Sequence, residues 1–438
     1  MRTAVALIAL ATSAGAHAGG LTLPTRGLHS TERAGALVAG ADDADALFLD
    51  PAGLARIAGD GRRSLLFDVG YLYEAEQFTA PGAGTANNQQ PGTAQFTIAG
   101  ALGVGDRLVI AGGVTTLPAG VHHFDNNGAQ RFASTDVAGT QYVTVAVGAA
   151  YVITPRLRLG ATLQDTVSML DWSLVASACP GTMTCAAGDA NYDLPLHLTQ
   201  HDYIAPSGSV GVQFDALPEL TLGAAVQAPT KISSQGTLIV TPPASPTFTG
   251  MPVTGTNATT SFWLPPSVRA GVELRHHTDR VSMRVEAAVD VELWGLHDAI
   301  TIAPDGIAIG AMALQPMTIV RDYHTSVATS LGGELHVGEV RIAAGLGYET
   351  SAAPATTVST LTIDAPKWLF GLGGGYSADG WDLGVAAGLA QLAKVTVDAP
   401  AVAQLAPLRD SSGAPRYVNA GTYGAYDLTI GLRGSRRF

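Results

Sequence analysis

Histidine, serine and acidic residues are numerous enough for catalysis, but their spacing matches no catalytic or metal-binding motif. His197 and His201 have the four-residue separation that binds zinc on a helix, yet no glutamate lies between them and the pair lies where a loop meets a strand. A Ser-His-acid triad forms in space rather than in sequence, so the eleven histidines permit a hydrolase without indicating one. The sequence therefore predicts that the protein is not an enzyme and uses neither a metal nor a cofactor.

The only two cysteines, Cys179 and Cys185, enclose a Pro-Gly pair that suits a tight loop. A disulfide between them is expected in an exported chain, because extracytoplasmic compartments are oxidising. Two isolated thiols are the alternative, and a zinc site would need further ligands nearby.

The N-terminus has the features of a secretory signal. Arg2 supplies the positive charge, a short apolar run follows, and an Ala-His-Ala tripeptide at 16–18 fits the small-residue cleavage rule. The run is too short to span a bilayer. We therefore predict a signal peptide over residues 1–18 and a mature chain that begins at Gly19.

The composition excludes several classes of protein. Hydrophobic residues make up 47% of the chain and charged residues only 14%, which argues against disorder. Lysine and arginine total 24 against 36 acidic residues, and this net charge of −12 argues against a nucleic-acid partner. The mature chain also lacks the apolar runs of about 18 residues that membrane-spanning helices need. What remains is a chain with the hydrophobicity of a membrane protein whose apolar residues are dispersed.

Apolar and polar residues alternate along most of the chain beyond residue 60. In segment 280–294, Val281, Met283 and Val285 share one face while Arg284 and Glu286 lie on the other. A period of two residues is that of a β-strand. The same alternation recurs at 268–275, 340–348 and 426–433.

Strand length and loop length together favour a membrane barrel over a soluble sandwich. The strands run for about 12 to 18 residues, whereas soluble strands average about 5 or 6. Six short turns and seven long loops alternate between them, a pattern typical of outer-membrane barrels. We therefore predict an all-β fold, a transmembrane antiparallel β-barrel of about fourteen strands over residues 61–438. Its C-terminal aromatic residue, Phe438, predicts recognition by the barrel-assembly machinery.

One predicted strand changes its pattern partway along its length. Leu159 and Leu163 place apolar residues at odd positions, whereas Leu170 and Trp172 place them at even positions. This change predicts a β-bulge between residues 164 and 169, and a misplaced strand boundary is the alternative.

Residues 19–60 do not alternate and are rich in alanine, glycine and acidic residues. Short helices, at 31–40 and 45–48, fit this composition better than strands. The simplest location for a segment that precedes a closed barrel is the lumen, so we predict that residues 19–60 form a hatch, or plug.

The order of motifs along the chain resembles a known family. Asp42-Asp43-Ala44 is followed by Asp50-Pro51-Ala52-Gly53, and later segments with family-like strand and turn patterns lie at 148–160, 223–231, 264–294 and 341–354. Over essentially the whole mature chain, this set is similar to the FadL-like long-chain fatty-acid and hydrocarbon transporters of Gram-negative outer membranes. The resemblance implies passive uptake, in which an extracellular groove captures a hydrophobic ligand and a hatch in the lumen controls its release.

The resemblance also assigns the hatch residues. The positions that match the family's gating elements are Leu21, Asp42, Asp43, Asp50, Pro51 and Ala52. Two of them depart from the family pattern, because Asp50 replaces an asparagine and Leu21 replaces a frequent aromatic residue. A carboxylate only accepts hydrogen bonds, whereas an amide also donates them. The acidic residues have an alternative role at helix N-termini, where the dipole favours them.

Candidate ligand contacts fall into two groups. Loading of a hydrophobic compound needs apolar contacts, and the loop-side aromatic candidates are Phe124, Phe132, Phe262 and Trp263. A fatty-acid carboxylate would bind arginine, and the inward-facing candidates are Arg269, Arg284 and Arg341. The alternative for these arginines is a structural network with lumen carboxylates, because a buried charge needs a partner.

The predicted function is transport of long-chain fatty acids across the outer membrane, and uptake of toluene-like aromatic hydrocarbons is the alternative. A general porin, a structural barrel and a barrel hydrolase are further alternatives. The expected partners are a hydrophobic small molecule, outer-membrane lipid and the assembly machinery. The barrel is expected to act as a monomer without nucleic acid.

Overall fold

The computed structural model describes residues 23–90, 92–117, 119–179, 185, 188–278, 280–408 and 415–438. The signal peptide over residues 1–18 and the gating residue Leu21 lie outside these ranges, so both stay predictions. No helix in the described ranges is long and apolar enough to cross a membrane.

Fourteen antiparallel strands form one closed barrel, which confirms the predicted fold class. Strand β1 pairs with β2 over residues 63–72 and with β14 over residues 64–79, and this pairing closes the sheet, as a lipid environment requires. The strands are β1 Arg63–Thr79, β2 Thr93–Val104, β3 Leu108–Thr116, β4 Gln141–Thr154, β5 Leu157–Ser177, β6 Asp193–Asp202 with Pro206–Leu217, β7 Leu220–Gln227 with Thr230–Val240, β8 Asn257–Leu264 with Ser267–His277, β9 Val281–Leu293 with Ala299–Asp305, β10 Met317–Val320 with Thr325–Val337, β11 Val340–Glu349, β12 Lys367–Ala378, β13 Trp381–Leu392 with Val395–Val397, and β14 Gly421–Arg437.

Side chains alternate between the lumen and the outer surface of the barrel. On β1, Leu65, Phe67 and Tyr71 are exposed on the outside, whereas Leu66 and Leu72 are buried inside. An outward apolar band with aromatic residues at its edge is the surface that a bilayer requires. The sequence pattern therefore places the lipid-facing residues correctly.

The strands extend above this apolar band at the end that carries the long loops. Six of them, β6 to β10 and β13, are interrupted partway, and the upper segments of β6 to β10 enclose an apolar core. On β5, Leu163 is 73% exposed on the outside, whereas Trp172 is 5% exposed inside this core. The apolar side chains of β5 point outward in the lower half of the barrel, where they meet lipid. They point inward in the upper half, where they pack in the core.

The predicted bulge on β5 was therefore wrong. Even-numbered residues face the lumen along the strand from Thr162 to Leu174. The register shift between β4 and β5 lies instead between Val152 and Thr154, near the short turn.

Residues 23–58, here called the plug segment, lie inside the barrel. They contain a short helix, α1 at Gly27–Glu32, and two 3-10 helices at Ala44–Phe48 and Pro51–Ile57. The first helix lies earlier than the predicted 31–40, because residues 34–40 adopt turns. Leu47 and Leu54 of the plug segment are fully buried against the lower barrel wall.

Glycines on the lumen face of the strands admit the backbone of the plug segment. A Cβ atom at Gly345 would lie 2.2 Å from the carbonyl carbon of Arg33, and one at Gly160 would lie 2.2 Å from that of Pro51. These approaches explain why glycine is frequent in otherwise regular strands.

The loop end also contains the single disulfide of the chain. Cys179 and Cys185 are bonded, with their Cα atoms 6.0 Å apart. The bond closes the loop that follows β5.

Candidate ligand cavity and plug

Arg33 attaches the centre of the plug segment to the barrel wall. Its fully buried guanidinium lies 3.2 Å from Glu273, 3.4 Å from Glu286 and 3.0 Å from Glu334. These carboxylates come from the adjacent strands β8, β9 and β10. Three strands therefore share one cation of the plug segment.

The backbone of the plug segment adds a second set of bonds to the same wall. The N–H groups of Val38, Ala39 and Gly40 donate to the Glu286 carboxylate at 2.7, 2.9 and 2.9 Å. Charge-assisted hydrogen bonds of this kind are stronger than neutral ones. The plug segment is thus bound through its main chain as well as through Arg33.

The predicted hatch residue Asp43 takes part in an ionic cluster between the plug segment and β14. Arg433 lies 3.1 Å from Asp43 and 3.3 Å from Asp45. His29 connects this cluster to β10, because its ring lies 3.3 Å from Asp45 and 2.7 Å from Glu334. Burial lowers the pKa of His29, but its carboxylate neighbours outweigh burial and raise the pKa to about 9. His29 is therefore a cation at neutral pH.

Asp42 links the plug segment to the short-turn end of the barrel. Its carboxylate lies 3.1 Å from both Arg284 on β9 and Arg437 on β14. Asp42 and Asp43 thus both connect the plug segment to the barrel wall, and a gating role for them stays a prediction.

The arginines predicted to bind a ligand carboxylate all contact the plug segment. Arg269 pairs with Asp290 at 2.8 Å and donates to the Phe48 carbonyl at 3.3 Å. Arg341 pairs with Glu32 of α1, and Arg284 also binds the Gly40 carbonyl. The structure thus places Arg269, Arg284 and Arg341 in the structural network that the sequence left as the alternative.

Asp50 begins the second 3-10 helix, which also contains Pro51 and Ala52. One oxygen of its fully buried carboxyl accepts from the Ala52 N–H at 3.0 Å, as a helix cap does, and no hydrogen-bond partner for the other lies in the described residues. Burial raises the pKa of Asp50 well above its usual range. The acceptor role toward the Ala52 N–H is one that the side-chain oxygen of an asparagine also fills, so Asp50 keeps the capping contact that the family's asparagine could make.

A cavity of about 90 Å³ lies between the plug segment and the loop end. Its volume is of the same order as the ~150 Å³ apolar cavity that admits benzene in another protein. Apolar and aromatic side chains form much of the lining, including Leu23, Tyr142, Trp172, Phe262, Ile300, Leu361, Ile363 and Leu392. Leu23 belongs to the plug segment, so the plug segment contributes to the lining of this cavity.

Of the four predicted aromatic contacts, the structure brings Phe262 to the cavity. Phe124 is buried beside His122, with ring centres 5.2 Å apart. Phe132 packs beneath Arg131 in a separate loop cluster. Trp263 is half-exposed on the outer surface near Lys231.

The sequence reasoning missed the other main residues of the cavity. Tyr142 and Trp172 were not predicted as ligand contacts because they lie on regular strands. On such strands, lumen-facing and lipid-facing aromatic residues have the same spacing in the sequence. Glu74, Glu76 and Asp427 also line the cavity. Glu74 and Glu76 occupy alternate positions of β1 in a pattern of inward residues, and this signal was available in the sequence.

A second cavity, of about 350 Å³, lies on the other side of the plug segment near the short turns. Its lining is mostly charged and includes Asp42, Asp43, Arg341, Arg433 and Arg437. The plug segment therefore separates a largely apolar cavity from a polar one.

A closed fourteen-strand barrel with an internal plug and an apolar cavity above it defines a class: plugged outer-membrane transport barrels. The family model for the outer membrane protein transport protein family (OMPP1/FadL/TodX) matches residues 8–419. The chain belongs to this family, whose members are transporters of hydrophobic compounds in the outer membrane rather than enzymes. A search of curated proteins finds no match.

Solved structures of related barrels have the same fold. A FadL homologue from Pseudomonas aeruginosa superposes with a TM-score of 0.79 at 16% identity, over 95% of this chain and 99% of that one. The toluene transporters TbuX of Ralstonia pickettii and TodX of P. putida superpose with TM-scores of 0.64 and 0.66 at 15% and 14% identity. Each comparison covers 95% of this chain and 99% of the other.

Proposed function

We propose that this protein takes up hydrophobic compounds about the size of a single aromatic ring, without an energy source. The observation that carries the proposal is the cavity lined by Tyr142, Trp172 and Phe262 directly above the plug segment. Burial of apolar surface provides the affinity, at about 25 cal/mol per Å². Movement of residues 23–58 would then open a path by which the ligand leaves the cavity.

The charges of the lumen favour this ligand class over fatty acids. Arg269, Arg284 and Arg341 are bonded to carboxylates or carbonyls of the plug network. Long-chain fatty acids are the second candidate, because Lys367 lines the cavity. Lys367 already lies between Glu349 at 3.4 Å and Asp364 at 3.7 Å, which weakens its attraction for a carboxylate.

Two relatives support the proposal by analogy, since both are described as toluene transporters and share the fold. The polar character of the second cavity adds a physical reason for a hydrophobic ligand to leave toward lipid, because an apolar solute gains nothing from charged surroundings.

Uptake by living cells tests the proposal. A Gram-negative host that lacks its own fatty-acid transporter would express the protein, and uptake of labelled toluene and labelled oleate would be measured against the empty host. Faster toluene uptake without an oleate effect is the expected result. Faster oleate uptake alone would favour the second candidate, and no effect on either compound, with the protein folded in the outer membrane, would refute transport.

A further inference from the structure

One wall of the cavity carries three carboxylates that face the same space. Glu74 on β1 lies directly opposite Asp427 on β14 in the strand register, and Glu76 follows two residues along β1. All three residues line the cavity. Like charges directly opposite each other destabilise a sheet, so this arrangement costs stability in the absence of a compensating cation.

One cation is shared between this wall and other carboxyl groups. Lys367 lines the cavity and attracts Asp427 electrostatically, but it also lies 3.4 Å from Glu349 and 3.7 Å from Asp364. His122 approaches Glu76 at 3.5 Å, yet burial lowers the pKa of His122 to about 3, so its ring is neutral at physiological pH. One lysine is therefore shared by five carboxyl groups, those of Glu74, Glu76, Asp427, Glu349 and Asp364, and the neutral His122 ring adds no positive charge.

Glu76 has an unused hydrogen-bond acceptor in this cavity. The residue is 9% exposed, and its Oε2 atom has no hydrogen-bond partner in the described part of the chain. Glu74 differs, because its carboxylate accepts from the Val121 N–H. A buried acceptor without a partner carries a desolvation cost that a bound donor removes.

Aromatic rings form the opposite side of the cavity. Trp172 on β5 and Phe262 on β8 are stacked with their centres 6.4 Å apart, and Tyr142 on β4 meets Phe262 edge-on at 6.4 Å. These rings line the same cavity as the three carboxyl groups. Aromatic faces attract both rings and cations.

We propose that the cavity selects hydrophobic amines, whose ammonium group binds Glu74, Glu76 and Asp427 while the hydrocarbon part packs against Trp172 and Phe262. An ammonium group has three donors and no acceptor, which matches a wall of three carboxylates. This inference rests on the proposed function and narrows its ligand class. The cavity volume of about 90 Å³ limits the ligand to one ring or a short chain.

Three ligands with the same ring test the proposal: benzylamine, benzyl alcohol and benzoate. Calorimetric titration of the purified full-length barrel in detergent measures the affinity for each. We expect benzylamine to bind about tenfold tighter than benzyl alcohol, because hydrogen bonds to charged groups contribute more than neutral ones. Benzoate is expected to bind most weakly.

The variants Glu76→Gln and Glu74→Gln/Glu76→Gln/Asp427→Asn remove charge with little change of shape. We expect benzylamine affinity to fall about tenfold or more and benzyl alcohol affinity to stay nearly constant. Asp136→Asn is the matched control, because Asp136 pairs with His123 in a loop and does not line the cavity. Its benzylamine affinity is expected to equal that of the unmodified protein.

Failure of this inference is distinguishable from failure of the proposed function. If benzylamine binds no tighter than benzyl alcohol, or if the charge-removing variants keep full benzylamine affinity, amine selection is refuted. Toluene uptake would persist in that case and the proposed function would stand. If none of the three ligands binds and toluene uptake is absent, both proposals are refuted.

Discussion

Replacement of Arg33 by methionine tests how strongly the plug segment is held. The Arg33 guanidinium is fully buried and lies within 3.4 Å of carboxylates on three strands. Removal of one partner from a buried ionic group costs about 3–5 kcal/mol, because the remaining charges are left uncompensated. Since 1.36 kcal/mol corresponds to tenfold, the plug segment should leave its position roughly 200- to 5,000-fold more often.

The assay follows exposure of a buried position in the plug segment. Ala46 is fully buried, and an Ala46→Cys substitution adds a thiol that a membrane-impermeant maleimide reaches when the plug segment moves. The native cysteines do not interfere because they form the disulfide. We expect Arg33→Met to accelerate labelling by roughly 200- to 5,000-fold and to increase the frequency of open events in single-channel recordings.

Arg131→Met is the matched control for this experiment. Arg131 pairs with Asp193 at 2.8 Å in the loop region and does not contact the plug segment. Its replacement should leave labelling of the Ala46→Cys thiol unchanged. If Arg33→Met also leaves both labelling and conductance unchanged, the buried network does not fix the plug segment and the reasoning is refuted.

Substitutions at Asp50, His29 and Gly345 test other contacts of the plug segment. Asp50→Asn should leave the labelling rate of the Ala46→Cys thiol unchanged. Asp50→Ala should accelerate this labelling about fivefold, because it removes a helix cap that contributes about 1 kcal/mol of stability. Equal labelling rates in the two variants would contradict this prediction. The pKa of His29 is raised from 6.5 to about 9, so the stabilisation from its positive charge is complete below pH 6.5 and is lost as the pH rises through about 9. Open events in single-channel recordings should therefore become more frequent over that pH range. His29→Gln should remove this pH dependence. Gly345→Ala should destabilise the barrel by about 1–3 kcal/mol in urea unfolding because its Cβ meets Arg33, whereas Gly374→Ala, with its nearest contact at 3.6 Å, should be tolerated.

The barrel was predictable because its sequence signal is repeated along every strand. Alternation on β1 and β9 follows from the lipid-facing surface, and the short turns between strands are local features. The plug segment was predictable as a segment that fails to alternate. Its acidic residues Asp42 and Asp43 contact lumen arginines, but the individual partners follow only from three-dimensional packing.

The cavity was less predictable because its residues come from distant strands. Trp172 lies on β5 above the point where the apolar residues move from the lipid-facing side of the strand to the side that faces the core. From the sequence, this change was interpreted as a bulge. Glu74 and Asp427 meet only because β1 and β14 close the barrel. A pairing between the two ends of the chain leaves no local signal in either segment.

The most direct test of the central claim is whether the cavity is the route of uptake. Ala425 lines the cavity from β14, and Ala425→Phe would fill it, whereas Ala161→Phe adds the same side chain on the exposed face of β5. Labelled toluene uptake would be measured in the transporter-deficient host with each variant folded in the outer membrane. The account predicts that Ala425→Phe abolishes uptake and that Ala161→Phe preserves it. Full uptake with Ala425→Phe would contradict the account.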